Sequence, residues 1–256
     1  MPDLTERFTN RGMTTTTSSP IVLHADQEHS GLRVTVIVLL FACTILFFIL
    51  LNTMWPRLAP PGLVDFAFII ACSSSLVLAL AAVWGVEKGL KRVWHSGRVL
   101  TLDENGILVQ DLDLSPYTLN WRSNMNQLYW RFTLKGYKRG GRERRVPEKW
   151  ICLAVQIREG ENQLIAYTYI APKKAEEFMA RHGRAHFHEI YPADVYATDA
   201  RSRYLSLPSR PEKIPADVLA GKDGKQWLAE QHRWLEGFEL TNQDFEKFIM
   251  TVISHQ

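Results

Sequence analysis

The hydrophobic positions of this chain change period along its length. Residues 34–54 (VTVIVLLFACTILFFILLNTM) and 66–86 (FAFIIACSSSLVLALAAVWGV) run on without a charged residue. A helix rises about 1.5 Å per residue and needs roughly 20 apolar residues to cross a hydrocarbon core of about 30 Å. Both runs reach that length, and the short link between them predicts a two-helix transmembrane hairpin over 32–92. The first run is too long for the apolar region of a signal peptide, and no small-residue cleavage motif follows it. Neither run carries Asp, Glu, Lys, Arg or His, which argues against a proton relay or ion path built by this chain alone. Ser73, Ser74 and Ser75 form either a polar seam against another helix or bonds back to their own helix carbonyls.

From Arg98 the period becomes two, the signature of half-buried strands. Residues 98–102 and 107–112 flank Asp103-Glu104-Asn105-Gly106. The Asn-Gly pair predicts a tight hairpin, because both residues tolerate positive φ. Tyr117, Leu119 and Trp121 alternate next, then Leu128, Trp130, Phe132 and Leu134. Residues 151–157 and 164–170 form a last pair around Arg158-Glu159-Gly160-Glu161-Asn162-Gln163. Pro172 suits the first turn of a helix. Ala175, Phe178, Met179 and His182 then share one helical face, and Gly183 ends it. The expectation is about six antiparallel strands capped by one helix over 98–183.

The flanks read differently. Residues 1–31 are polar, rich in Thr and Ser and without period, and are expected to form a mobile tail. Residues 184–256 form an extension whose first part is rich in Pro and Tyr. Two amphipathic helices follow. Trp227, Gln231, Trp234, Leu235 and Phe238 are expected along one face of the first. Thr241 and Asp244 make a capping-box-like start for the second, whose stripe is Phe245, Phe248, Ile249, Val252 and Ile253. These stripes either pack on the preceding domain or dock another subunit. In the second case Trp227, Trp234, Phe238, Phe245, Phe248 and Ile249 are the anchors.

Charge orients the hairpin. Arg33, Lys88, Lys91, Arg92 and Arg98 stand near its outer ends and only Arg57 lies in the link. Basic residues are retained on the cytoplasmic side, so a multi-pass inner (plasma) membrane protein with both termini cytoplasmic is expected. The net charge of the whole chain is only +3, but residues 135–149 (KGYKRGGRERRVPEK) concentrate it. Lys135, Lys138, Arg139, Arg142, Arg144, Arg145 and Lys149 outweigh Glu143 and Glu148. Near an anionic leaflet each basic residue gains about 1 kcal/mol. The loop therefore contacts acidic lipid, contacts an acidic partner, or is simply solvated. A single short loop with no recognised motif argues against nucleic acid.

Candidate chemistry is sparse. His186 and His188 share a face in an extended segment, beside His182 and Glu189, but no second ligand pair supports a metal. Cys43, Cys72 and Cys152 have no ligand or disulfide spacing. No nucleophile-and-base pair, phosphate loop or H-E-x-x-H motif is present. No cofactor or small-molecule substrate is expected, and a metal-dependent enzyme is only a remote alternative.

Two apolar helices, the hairpin Leu102-Asp103-Glu104-Asn105-Gly106-Ile107, the strand Leu119-Asn120-Trp121 and the helix lead Ala171-Pro172-Lys173-Lys174-Ala175-Glu176-Glu177-Phe178 together resemble bacterial PH-like membrane proteins, including the YcxB-like group. The resemblance spans residues 34–183 and departs from the pattern in one respect: a full PH barrel has seven strands. It implies an α+β fold, with an antiparallel PH-like barrel or sheet capped by a helix, and a binding or assembly role. It also implies acidic-headgroup contact through a basic inter-strand loop. The expectation is a non-catalytic, membrane-anchored accessory or scaffold subunit of a larger membrane complex, with a stand-alone anionic-lipid-binding module as the alternative.

Overall fold

The computed structural model describes residues 19–27, 29–58, 60–112, 114–135, 146–183, 185–195 and 213–255. Strand β1 (Ile21–His24) comes first. Helices α1 (Ser30–Leu58) and α2 (Ala67–Val93) follow, joined through a 3-10 turn at Pro61–Phe66. Both are long and apolar enough to cross a membrane. No residue in the most apolar stretch of α1 is fully buried by the rest of the chain. Ala71, Ser75, Ala79 and Val83 are the buried residues of α2, spaced by four on one face. Such small side chains let helix backbones approach closely. Phe48 and Phe68 meet edge to face across the pair at 5.7 Å. The serines bond inward: Ser73 Oγ donates to the Ile69 carbonyl and Ser75 Oγ to that of Cys72.

After α2 the chain forms β2 (Val99–Leu102), β3 (Gly106–Gln110) and β4 (Tyr117–Asn120). With β1 they make a four-stranded antiparallel sheet in the order β1-β2-β3-β4. Residues 21–24 were expected inside a polar tail; instead Ile21 pairs with Leu102 and His24 with Val99. The hairpin is thus inserted between two neighbouring strands of one sheet. Leu23, Leu100 and Leu102 turn inward, as the two-residue alternation requires.

The second sheet is built on β5 (Asn126–Thr133), β6 (Ile151–Glu159) and β7 (Asn162–Ile170), all antiparallel. The helix expected at Pro172 is α3 (Pro172–Arg181). Strand β8 (His188–Glu189) then adds parallel to β5. Helices α4 (Ala216–Ala220) and α5 (Gly224–Glu236) lead to β9 (Phe238–Glu239), which adds parallel to β7. Helix α6 (Asn242–Ser254) closes the fold. The sheet order is β8-β5-β6-β7-β9. The architecture is α+β with two packed sheets rather than a closed barrel.

The second sheet is covered on both faces. Leu153, Val155 and Ile157 join the first sheet, α3 and α6 in one core. Cys152, Ala154, Tyr167 and Tyr169 join Trp227 and Ala229 of α5 in another. This explains why β6 and β7 read as nearly continuous apolar runs.

The first turn differs from the Asn-Gly hairpin expected. Positive φ among the described residues occurs at Asp26, Gly97 and Gly160, and not at Asn105 or Gly106. Asp103 Oδ1 instead accepts the backbone N–H groups of Asn105 and Gly106, each at 2.8 Å. Gly106 lies in β3, at a position that calls for glycine because a Cβ there would stand 2.0 Å from the Leu119 carbonyl oxygen. Gly106→Ala is expected to destabilise the protein by about 2–3 kcal/mol, since backbone must move. Gly183, with nothing near its Cβ position, is the control. Chemical unfolding in detergent followed by tryptophan fluorescence measures both; equal midpoints would refute the steric account.

Candidate functional site

Both legs of the hairpin return to the sheets at one place. Asp26 leaves β1 at φ 52° and Gly97 enters β2 at φ 84°. Between them Ser96 Oγ donates to the Ala25 carbonyl at 2.6 Å and accepts the Arg98 N–H at 3.1 Å. Arg98 itself is buried. Its guanidinium pairs with Asp26 and Asp111, donates to the Glu236 and Gly237 carbonyls, and stacks 3.8 Å from the Phe238 ring. Burial alone would favour the neutral form, but the two carboxylates outweigh it and hold the Arg98 pKa above its ordinary value. Asp26 also accepts the Glu239 N–H at 3.1 Å. One arginine therefore ties both hairpin legs to the β3–β4 loop and to the α5–β9 turn.

Arg98 counted among the cationic flanks of the hairpin, and that count needs correcting. Neutralised inside the domain, it leaves Arg33, Lys88, Lys91 and Arg92 at the outer ends, four against Arg57 in the link. Nearby, the rings of His24 and His95 stack at 4.0 Å. Burial, then the neighbouring His95, lowers the His24 pKa, and Asp244 partly opposes them. On the other side Tyr117 donates to the Gln163 carbonyl at 2.5 Å. Burial first, then Asp111 and Glu236, push its pKa up to about 12.

Beside the hairpin base lies a cleft of about 570 Å³. Gln27, Lys91, Trp150, Lys174 and residues 239–244 line it. Trp150 is also the root of the basic loop: its carbonyl accepts the Leu134 N–H at 3.0 Å, closing the β5–β6 connection. Lys135 and Lys149, at the two ends of that loop, are exposed. Lys138, Arg139, Arg142, Arg144 and Arg145 lie outside the described residues. The fold thus roots the most basic segment of the chain next to the cationic end of α2.

No family model, curated protein or solved structure matches this chain. Its geometry is the ground for any functional reading.

The aromatic anchors expected to dock a partner are placed otherwise. Trp227, Phe238, Phe245, Phe248 and Ile249 are buried in the chain's own two cores, and Trp234 is half-buried. Apart from Trp234, they fill the cores over both faces of the second sheet and are not available to another subunit. The expected face of α5 is also rotated. Its buried residues include Trp227, Ala229, Glu230 and Arg233, while Leu235 is 56% exposed and Phe238 belongs to β9. Arg233 makes a bidentate pair with Glu230 at 2.7 and 2.8 Å. Trp130 Nε1 donates to the same carboxylate at 3.0 Å.

The histidine segment is dispersed. His188 lies 2.8 Å from Asp223, His182 lies 3.3 Å from Glu246, and His186 is exposed. Among the described residues no three His, Cys, Asp or Glu side chains converge to hold a metal ion. Sequence reasoning missed Arg98, Asp26 and Asp111 as a unit. Asp26 and Arg98 are separated by the whole hairpin, and no local pattern links them.

Proposed function

We propose that this protein is a non-catalytic, membrane-anchored module whose PH-like domain contacts anionic headgroups through residues 135–149. The observation that carries the reading is the shared position of the basic-loop root, Trp150, and Lys91 of α2 on one cleft at the hairpin base. Two exposed helices of this hydropathy need an apolar surrounding, which a bilayer supplies. Pairing of β1 with β2 supports a hairpin whose outer ends lie on one side. The four-to-one basic count supports the cytoplasmic side. In support of the PH-like reading, β1–β4 and β5–β7 place seven strands before the helix α3; β8 and β9 then extend the second sheet, and the two sheets do not close into a barrel. The accessory-subunit reading rests on the charge-free hairpin, the lack of a catalytic constellation and the aromatic C-terminal helices; burial of Trp227, Phe238, Phe245, Phe248 and Ile249 weakens the last of these. What it retains is the outer surface of the hairpin, which lipid tails also cover.

The test reads the loop directly. The full-length protein is placed in nanodiscs of zwitterionic lipid, or of the same lipid with anionic lipid added, and digested with trypsin. Cleavage within residues 135–149 is expected to be several-fold slower on the anionic discs, and high salt should remove the protection. Equal cleavage on both discs would sink the proposal.

A further inference from the structure

We infer that the stacked rings of His24 and His95 form a pH-sensitive latch between the two legs of the hairpin, closed while both rings are neutral and loosened in acid. The latch does not depend on what residues 135–149 contact. It belongs to the joint itself, where β1 leads into α1 and α2 leads into β2. The legs are tied there by a short ladder of links. Ala25 N–H donates to the Arg98 carbonyl at 3.0 Å, and Ser96 Oγ donates to the Ala25 carbonyl. Asp26 pairs with Arg98, and an arginine keeps its charge at every physiological pH. His24 and His95 make the next link, with centroids 4.0 Å apart and 28° between the ring planes. Imidazole is the side chain whose charge changes near neutral pH.

Two features of the closed joint oppose a proton on His24. The first is the stack: two charged rings would set like charges face to face at that distance. The second is His24 Nδ1, which is buried and has no hydrogen-bond partner among the described residues. Both nitrogens of a charged imidazole are donors, so the closed joint would strand one N–H there. Facing groups from other elements act the other way or are already engaged. Asp244 of α6 favours the charged ring. That carboxylate also accepts the Thr241 hydroxyl at 2.8 Å, pairs with Lys247 at 3.1 Å, and shares its cleft with Lys91, Lys174 and Glu239. Asp26 is committed to Arg98. Burial and His95 therefore outweigh Asp244, and the His24 pKa lies below its usual 6.5. The closed joint binds this proton less readily than an open one. Its stability is fully present above about pH 6.5 and declines as the pH falls through and below that value. Opening this link loosens β1 where His24 pairs with Val99, the end of the sheet nearest the helices.

Hydrogen exchange of the full-length protein in zwitterionic nanodiscs tests the latch, with each rate divided by its intrinsic rate at that pH. Between about pH 7.5 and about pH 5.5 the protection of residues 21–24 is expected to fall several-fold while that of β6 holds. His24→Phe with His95→Phe keeps two stacked rings without a titrating nitrogen, and should abolish the fall. Two single variants should move it in opposite directions: His95→Gln shrinks the fall by removing the facing charge, and Asp244→Asn deepens it by removing the opposing carboxylate. A merely structural role would lower protection equally at both pH values. Equal wild-type protection at the two pH values overturns the latch, as does a fall that persists in the double phenylalanine variant. His29, edge-on to Trp94 at 5.2 Å, is the remaining histidine of the joint. Loss of the fall in His29→Gln, with the pair intact, would also overturn it.

Discussion

Replacing Arg98 by Met is expected to destabilise the domain by about 3–5 kcal/mol, because Asp26 and Asp111 would keep their burial and lose their counter-charge. Arg98→Lys should be milder but still costly. A lysine carries the charge, yet cannot reach two carboxylates and two carbonyls with one planar fork. Adding Asp26→Asn and Asp111→Asn to Arg98→Met removes the stranded charges and should recover part of the loss. Chemical unfolding of the detergent-solubilised protein measures the series. Hydrogen exchange should also quicken at Phe238 and Glu239, which the same residue holds through the Glu236 and Gly237 carbonyls. A loss under 1 kcal/mol with unchanged exchange would show that the pairing is dispensable.

Arg233→Met should cost a similar amount, about 3–5 kcal/mol, for a related reason in the other core. Glu230 would remain buried among Trp130, Tyr169 and Trp227 without its bidentate partner. The informative variant is double. Glu230→Gln with Arg233→Met keeps an acceptor for Trp130 Nε1 and abolishes the buried charge. It is expected to recover most of the stability, whereas Glu230→Leu with Arg233→Met leaves the indole N–H unpaired at a cost of about 1–3 kcal/mol. A Gln/Met double no more stable than the single variant would mean that the site depends on side-chain shape, not on charge pairing. Both pairs are shielded from solvent, so added salt should change these differences little.

The parts legible in the sequence were those with a local, repeating cause. The helices α1 and α2 announce themselves by uninterrupted apolar length. Strands β2 to β7 show alternation or apolar runs over four or more residues, and Pro172 marks the start of α3. The Thr241–Asp244 cap is real: Asp244 N–H donates to Thr241 Oγ1 at 3.1 Å. What stayed hidden had a distant cause. Strand β1 is four residues long, and its partner comes only after both helices. Strand β9 is two residues added to the edge of β7. The buried face of α5 contains Glu230 and Arg233, which single-residue hydropathy assigns to water. The burial of Arg98 follows from contacts with three separate segments. Of the candidate site, the charge of the 135–149 loop was visible in composition, but its root beside Lys91 depends on how β5 and β6 sit over the hairpin base.

The insertion of the hairpin between β1 and β2 has a consequence for biogenesis. The ribosome makes residues 21–24 before either apolar helix, yet that segment has no strand to join until both have emerged. In the membrane-anchored reading, a chain that passes the bilayer once leaves β1 on the far side. The first sheet then lacks its edge strand, and Arg98 lacks Asp26. A topology error thereby becomes a folding error, which exposes apolar surface to the cell's proteases. The sheet acts as a proofreader for its own anchor.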